Sequence, residues 1–206
     1  YWSGGTGGSG PAPGARSTTD RLDYSSDTTA CVTKGPLTST KYHTAATGNS
    51  SFGYWSCGQP GGSQSDVDRL DYSSDTTAMA PKGPLTHGSY GHDAESSRAN
   101  NLPTEDIYST TASSGEETLE TLSSGPAYGY IAGGYPGPNS TVERIDFNND
   151  TSTPAPRSLI TTARAFGAAT GNTSYGYFGG GYTPDKSIVD RLDYGNDTAT
   201  ALARGY

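Results

Sequence analysis

Val189-Asp190-Arg191-Leu192-Asp193-Tyr194 decides the reading of this chain, because it holds the last of four copies of one phrase. Asp20-Arg21-Leu22-Asp23-Tyr24 and Asp68-Arg69-Leu70-Asp71-Tyr72 repeat it, and Glu143-Arg144-Ile145-Asp146-Phe147 is a near-copy. The copies begin at residues 20, 68, 143 and 190, so the spacings are 48, 75 and 47 residues. A fixed period of this size means one supersecondary unit used repeatedly, stacked against its neighbours to bury a shared core. Side chains alternate along a strand, so Val67, Arg69 and Asp71 share one face while Asp68, Leu70 and Tyr72 share the other. Arg and Asp two apart on one face recur as Arg21 and Asp23, Arg69 and Asp71, Arg144 and Asp146, Arg191 and Asp193. That recurrence predicts a structural ionic ladder from unit to unit.

Aligned on the phrase, three further stretches fall into register. Upstream is an aromatic–glycine stretch: Tyr54-Trp55-Ser56-Cys57-Gly58, Tyr130-Ile131-Ala132-Gly133-Gly134 and Tyr177-Phe178-Gly179-Gly180-Gly181. Before it comes a small-residue stretch: His43-Thr44-Ala45-Ala46-Thr47-Gly48 and Phe166-Gly167-Ala168-Ala169-Thr170-Gly171. After the phrase comes a turn rich in Asp, Asn and Ser at 25–29, 73–77, 148–152 and 195–199, whose side chains cap their own backbone. Lys-Gly-Pro-Leu-Thr follows at 34–38 and 82–86 and carries the chain onward. Each unit therefore holds about four short β segments. The whole chain, 1–206, is expected to be one all-β array with units at about 1–35, 36–83, 84–157 and 158–206, the first without its small-residue strand. The long third spacing marks an insertion at about 98–122, where Glu116-Glu117-Thr118-Leu119-Glu120-Thr121-Leu122 is the one helical stretch. Tyr1-Trp2-Ser3-Gly4-Gly5 reads as the middle of a motif, so a processed chain or a segment of a longer one is expected.

Composition agrees with short strands and polar turns. Of 206 residues only 31% are hydrophobic and 17% charged, while glycine (29) and tyrosine (15) are abundant. Tyrosines then serve as the packing residues, in place of a deep aliphatic core. A net charge of −8 disfavours nucleic-acid partners and anionic membrane surfaces, since both require Lys and Arg to neutralise phosphate. No apolar run approaches the roughly 18 residues of a membrane span. Cys31 and Cys57 stand in one region and have no counterparts elsewhere, which is not a disulfide framework.

The register resembles the kelch repeat, on Arg164-Ala165-Phe166-Gly167-Ala168-Ala169, Tyr175-Gly176-Tyr177-Phe178-Gly179-Gly180-Gly181 and Ile188-Val189-Asp190-Arg191-Leu192-Asp193-Tyr194. The outer-strand Trp of that family is absent: Cys31, Met79 and Ala201 lie near its place. A closer likeness is to tandem-repeat, virion-associated proteins of marine phages, notably those infecting cyanobacteria, on Phe52-Gly53-Tyr54-Trp55 and Asn196-Asp197-Thr198-Ala199-Thr200. These likenesses imply a kelch-like β-propeller with about four four-stranded blades visible, the first incomplete, either alone or within a larger ring. They imply a non-enzymatic structural or adhesion module of a virion or extracellular fibre. Its partners would be other virion or fibre proteins, a host glycan, and further subunits in an oligomer. The alternatives are a secreted bacterial carbohydrate-binding propeller and an intracellular kelch adaptor.

Chemistry-bearing patterns are few. No Gly-x-Ser-x-Gly elbow occurs with a supporting His and acid. His87 and His92, with Asp93 and Glu95, could hold a metal, but a polar loop beside the insertion explains them equally well. The aspartates at 20, 23 and 27, repeated at 68, 71 and 75, are read as turn and ladder groups, because Asp20 and Asp23 lie on opposite strand faces and cannot converge on calcium. No metal or cofactor is expected. Asn49-Ser50-Ser51, Asn139-Ser140-Thr141, Asn149-Asp150-Thr151, Asn172-Thr173-Ser174 and Asn196-Asp197-Thr198 are glycosylation sequons that report turn chemistry first. The ligand-binding candidates are the rings in or after the glycine-rich strand: Trp2, Trp55, Tyr135 and Tyr182. Stacking between units is the competing role for Trp55, and packing is the expected role of His43.

Overall fold

Each copy of the phrase supplies one strand of an antiparallel sheet. The computed structural model describes residues 1–7, 14–26, 28–56, 58–59, 64–96, 128–137, 139–182 and 185–205. The expected insertion at 98–122, with its helical stretch, lies outside the described residues, as do Asp27 and Cys57.

The first sheet joins β1 (Trp2–Ser3), β4 (Thr19–Arg21) and β5 (Val32–Lys34), with a small ribbon of β2 (Thr6–Gly7) and β3 (Gly14–Ala15) beside it. The second is four-stranded: β6 (Ala45–Gly48), β7 (Phe52–Ser56), β8 (Val67–Asp71) and β9 (Ala80–Lys82). The third runs β10 (Asp93–Ser96), β11 (Tyr128–Ala132), β12 (Asn139–Asp146) and β13 (Ala155–Arg164). The fourth runs β14 (Ala168–Gly171), β15 (Tyr175–Gly179), β16 (Val189–Asp193) and β17 (Leu202–Gly205). All neighbours are antiparallel; the second, third and fourth sheets are meanders, while in the first the β2–β3 ribbon lies in the chain between the paired strands β1 and β4. The first sheet lacks the small-residue strand, as the repeat register predicts. The sheets repeat as expected of propeller blades, but they do not close into a ring among the described residues.

Strands end where an acid captures the chain. Asp23, Asp71, Asp146 and Asp193 each accept from the backbone N–H two residues on, at 2.9 Å in all four copies. These bonds, with the Ser25 and Ser73 hydroxyls, hold the Asp23 and Asp71 carboxyls below the usual range. The phrase's second acid is therefore consumed locally as a turn cap.

The ionic ladder exists, but its acid is a different residue. Arg21 pairs with Asp75 at 2.6 Å, Arg69 with Asp150 at 2.7 Å, and Arg144 with Asp197 at 2.8 Å. Each acceptor is the turn acid of the next unit, four residues beyond the capping Asp. A tyrosine hydroxyl and a second cation complete each clamp: Tyr1 and Lys34 on Asp75, Tyr54 and Lys82 on Asp150, Tyr130 and Arg157 on Asp197. Burial opposes ionisation of Asp75 and Asp150, but the three donors win and keep both carboxyls below their ordinary range.

The apolar core lies between sheets. Tyr54, Val67, Leu85, Ile131, Ile145 and Phe147 fill the gap between the second and third. Tyr130, Ala132, Val142, Ile160, Phe178 and Leu192 fill the next. Tyr1 stacks on Tyr72 at 5.1 Å, Tyr54 on Phe147 at 4.9 Å and Tyr130 on Tyr194 at 5.1 Å, one ring pair per interface. The phrase's first acid anchors the segment that leads into the inner strand of its own sheet. Buried Asp68 takes Lys41 at 2.8 Å and the Thr38 hydroxyl at 2.6 Å; buried Asp190 takes Arg164 at 2.7 Å and the Thr161 hydroxyl at 2.6 Å. Glu143 takes the Thr86 amide at 2.8 Å.

Candidate functional site

The inner strands β6, β10 and β14 lie side by side, with β10 between the other two. Two residues before each comes an equivalent position: His43, Gly91 and Phe166. Their backbones bond in series, Gly91 N–H to His43 O at 3.0 Å and Phe166 N–H to Gly91 O at 2.7 Å. All three are left-handed, with φ of 59°, 65° and 59°. Gly91 adopts that conformation freely, whereas His43 and Phe166 do so against a Cβ clash of about 1–2 kcal/mol each.

That strained backbone delivers rings to one mouth. His43 meets Phe166 edge-on at 5.3 Å and lies 6.0 Å from Tyr90. Tyr42 touches His43 at 4.8 Å, and Tyr90 contacts Tyr135 at 5.4 Å. Bridges Tyr90↔Tyr135 and Ala165↔Tyr182 tie the chain after the glycine-rich strands to this mouth. Phe166 stays 43% exposed and Tyr182 56%, so the cluster is open to solvent. A Cβ at Gly91 would sit 2.5 Å from the Phe166 ring, so only glycine leaves room for that ring.

The four proposed ring residues thus separate. Tyr135 belongs to the mouth and exposed Tyr182 follows an equivalent strand beside it. Trp2 is exposed along a groove with Tyr1, Thr18, Thr44 and Ala46. Trp55 also lines that groove but is only 5% exposed, with most of its ring packed against Leu37, Leu70 and Met79. Sequence reasoning did not single out Tyr42, Tyr90 or Phe166; it expected packing of His43, whose ring contacts those of Tyr42, Tyr90 and Phe166. The signal was available: His43 aligns with Phe166, two large residues where a third unit has glycine.

Beneath the mouth, β10 departs from its sisters. Ala45-Ala46-Thr47-Gly48 and Ala168-Ala169-Thr170-Gly171 correspond to Asp93-Ala94-Glu95-Ser96. Asp93 and Glu95 both reach toward the fourth sheet, into space left by Gly167, Gly171 and Gly176. Burial pushes the Asp93 carboxyl up to about 6, only partly offset by the Arg164 charge. Burial pushes Glu95 up to about 8, against a hydrogen bond from the Tyr194 hydroxyl. His92 is buried, held neutral with its pKa lowered to about 4, and its Nε2 lies 2.6 Å from Ser89 Oγ. His87 instead faces the Thr86 hydroxyl at 2.8 Å, so the two histidines do not converge. Among the described residues no three His, Cys, Asp or Glu side chains group as metal ligands. Nor is any helix among them long and apolar enough to cross a membrane.

Comparison with protein-family models and with curated proteins returns no match. The functional reading therefore rests on the geometry of the mouth and of the repeats.

Proposed function

We propose that the chain is a binding scaffold of the β-propeller class, kelch-like in its repeat, that holds a carbohydrate at the aromatic mouth. The observation that carries this reading is the paired left-handed backbone at His43 and Phe166. Strain of that kind, held at two equivalent positions and aiming two rings at one opening, favours a site over packing. Ring faces of Phe166, Tyr90 and Tyr135 suit the apolar face of a sugar, while tyrosine hydroxyls and the His43 imidazole supply hydrogen bonds.

The role we infer is structural and adhesive, with no chemistry performed on the ligand, in a virion fibre or an extracellular fibre. The repeat likeness and the turn-rich, low-charge surface support that setting. A glycan array probed with the wild-type chain and with Phe166→Ala tests the mouth. Binding lost with Phe166→Ala supports the reading; unchanged binding, or none in the wild type, refutes it. Mass spectrometry of purified particles tests the setting, and absence of the chain from virions and from extracellular material would remove it.

A further inference from the structure

The inner strand of the third unit breaks the repeat. Where β6 and β14 carry Ala-Ala-Thr-Gly, β10 carries Asp93-Ala94-Glu95-Ser96. Asp93 and Glu95 stand two residues apart on one strand face and are 3% and 4% exposed. That face closes onto the fourth sheet. A Cβ at Gly167 would lie 2.4 Å from Asp93 Oδ2, and one at Gly171 or Gly176 would lie 2.5 Å from a Glu95 carboxyl oxygen. The Gly167 N–H approaches Asp93 without completing a hydrogen bond, so both Asp93 oxygens, like Glu95 Oε1, are buried and unpartnered. Glu95 Oε2 takes the Tyr194 hydroxyl.

Among the described residues little surrounds the pair that could hold it ionised. β6 and β14 carry no titratable side chain. Arg164 lies near Asp93, but its guanidinium is committed to Asp190 at 2.7 Å and to the Phe178 carbonyl at 2.9 Å. Tyr130 stacks on Tyr194, and Tyr177 lies close to the same hydroxyl. Arg144 is paired with Asp197, and Arg191 is turned onto the Tyr175 ring at 4.2 Å. His92, next to Asp93 in the chain, is buried and neutral.

The acids sit directly below the mouth. Asp93 is two residues after Gly91, and the Gly167 that it touches follows Phe166. Phe166 N–H bonds Gly91 O at 2.7 Å across this joint, whereas Gly91 N–H bonds His43 O at 3.0 Å across the neighbouring one. Tyr90 and Tyr135 line the third unit's side of the opening, and Phe166, 6.0 Å from Tyr90, lines the fourth unit's side. We propose that the joint between the third and fourth sheets is a pH-operated hinge for the mouth, closed while Asp93 and Glu95 hold their protons and opened when they ionise. A buried carboxylate without a cation must regain water, and water reaches this pair only as β14 draws away from β10. Phe166 then leaves Tyr90 and Tyr135. The Asp197 clamp ties the same two sheets at the end opposite the mouth, so they pivot rather than separate. The closed pKa of each acid, about 6 for Asp93 and about 8 for Glu95, lies above the ordinary 3.8 and 4.5 of the open state. Closure is therefore whole in acid and is lost as pH rises through those values. For the release of sugar the hinge rests on the mouth being a sugar site.

Residue-resolved amide hydrogen exchange at pH 5.5 and 8.5, corrected for the intrinsic rate at each pH, tests the hinge without any ligand. Over that interval Glu95 should raise the open-to-closed ratio about 200-fold, and Asp93 about fourfold more. Protection of the Phe166 amide is expected to fall accordingly, while that of Gly91, across the other joint, changes by less than about threefold. A fall of less than about tenfold at Phe166, or an equal fall at Gly91, overturns the proposal. Asp93→Asn/Glu95→Gln removes the ionisation, and Asp93→Ala/Glu95→Thr installs the residues of both sister strands. In either variant, folded by circular dichroism, the fall at Phe166 should vanish; a fall as large as in wild type overturns the proposal. The comparison of the two amides in wild type stands even where a variant does not fold. A glycan bound by wild type in the array should lose at least about tenfold in affinity from pH 5.5 to 8.5 in wild type and stay level in the variants, and equal wild-type affinities overturn the coupling. His43 is shared by all the proteins, so comparing them at each pH isolates the buried acids. Exchange is read without sugar, so failure of the hinge and failure of the sugar site show separately.

Discussion

Glu95 stands where the sister strands have Thr47 and Thr170, and it makes the joint between the third and fourth sheets sensitive to alkali. Its Oε1 is buried without a hydrogen-bond partner among the described residues, and its Oε2 faces the Tyr194 hydroxyl. Burial raises its pKa from an ordinary 4.5 to about 8. The folded pKa lies above the unfolded one, so the contribution is whole below about pH 4.5 and is lost as pH rises toward 8. Linkage over that span gives a loss of about 1 kcal/mol by pH 5, about 3 by pH 7 and between 4 and 5 by pH 9. The difference between pH 5 and pH 9, about 4 kcal/mol, is a large share of the roughly 5–15 kcal/mol typical of a domain. Glu95→Gln keeps an acceptor for Tyr194 and removes the ionisation. The buried amide costs about 1–3 kcal/mol at every pH, which offsets the curve without changing its slope. Asp93, also raised, titrates in both proteins and cancels from the comparison. Urea midpoints read by tyrosine and tryptophan fluorescence from pH 5 to 9 measure the effect. Wild type should lose about 4 kcal/mol more than Glu95→Gln across that range. Parallel curves for the two proteins would show that Glu95 is not buried as a neutral acid.

Other joints give sharper contrasts. Asp150→Asn strips the charge that Arg69, Lys82 and Tyr54 converge on and should cost about 3–5 kcal/mol in chemical denaturation. Asp71→Ala removes only a turn cap at the end of the same strand and should cost about 1 kcal/mol; equal losses would mean that the ladder acid has been misassigned. Phe166→Gly relieves the left-handed strain while deleting a half-exposed ring, so thermal stability should fall by less than for an ordinary Phe truncation, which costs about 3–5 kcal/mol, while glycan binding disappears. A loss of stability as large as a core Phe truncation would mean that the ring is there for packing.

The repeat made much of the fold legible. Its period, its all-β character, its strand count and the missing inner strand of the first unit could all be read from register. The ladder was legible in kind but not in partner. Asp71 and Asp75 look alike in sequence, and only the turn geometry decides that Asp71 bonds Ser73 while Asp75 swings across to the preceding sheet. Trp55 and Trp2 occupy the same motif position and meet opposite fates, because one has a sheet in front of it and the other does not. Sequence identity fixes the side chain's register, and the neighbour fixes its exposure. The mouth was least legible: its one signal, His43 and Phe166 aligned with Gly91, does not by itself say that the two large residues are left-handed.

Strain at the mouth and strength at the clamps belong together physically. A left-handed Phe persists only where the surrounding structure over-determines its backbone. Here two constraints do so. The series bonds through positions 43, 91 and 166 fix the mouth from within, and the Asp75, Asp150 and Asp197 clamps fix the angle between sheets from outside. The clamp on Asp197 sets how the third and fourth sheets meet, and so where Phe166 points relative to Tyr90. Loosening it should therefore move the mouth before it unfolds the chain. Asp197→Asn leaves every mouth residue unchanged, yet it should weaken sugar binding under conditions where circular dichroism still reports native sheet. Full affinity in a folded Asp197→Asn protein would show that the mouth holds its shape through the inner strands alone.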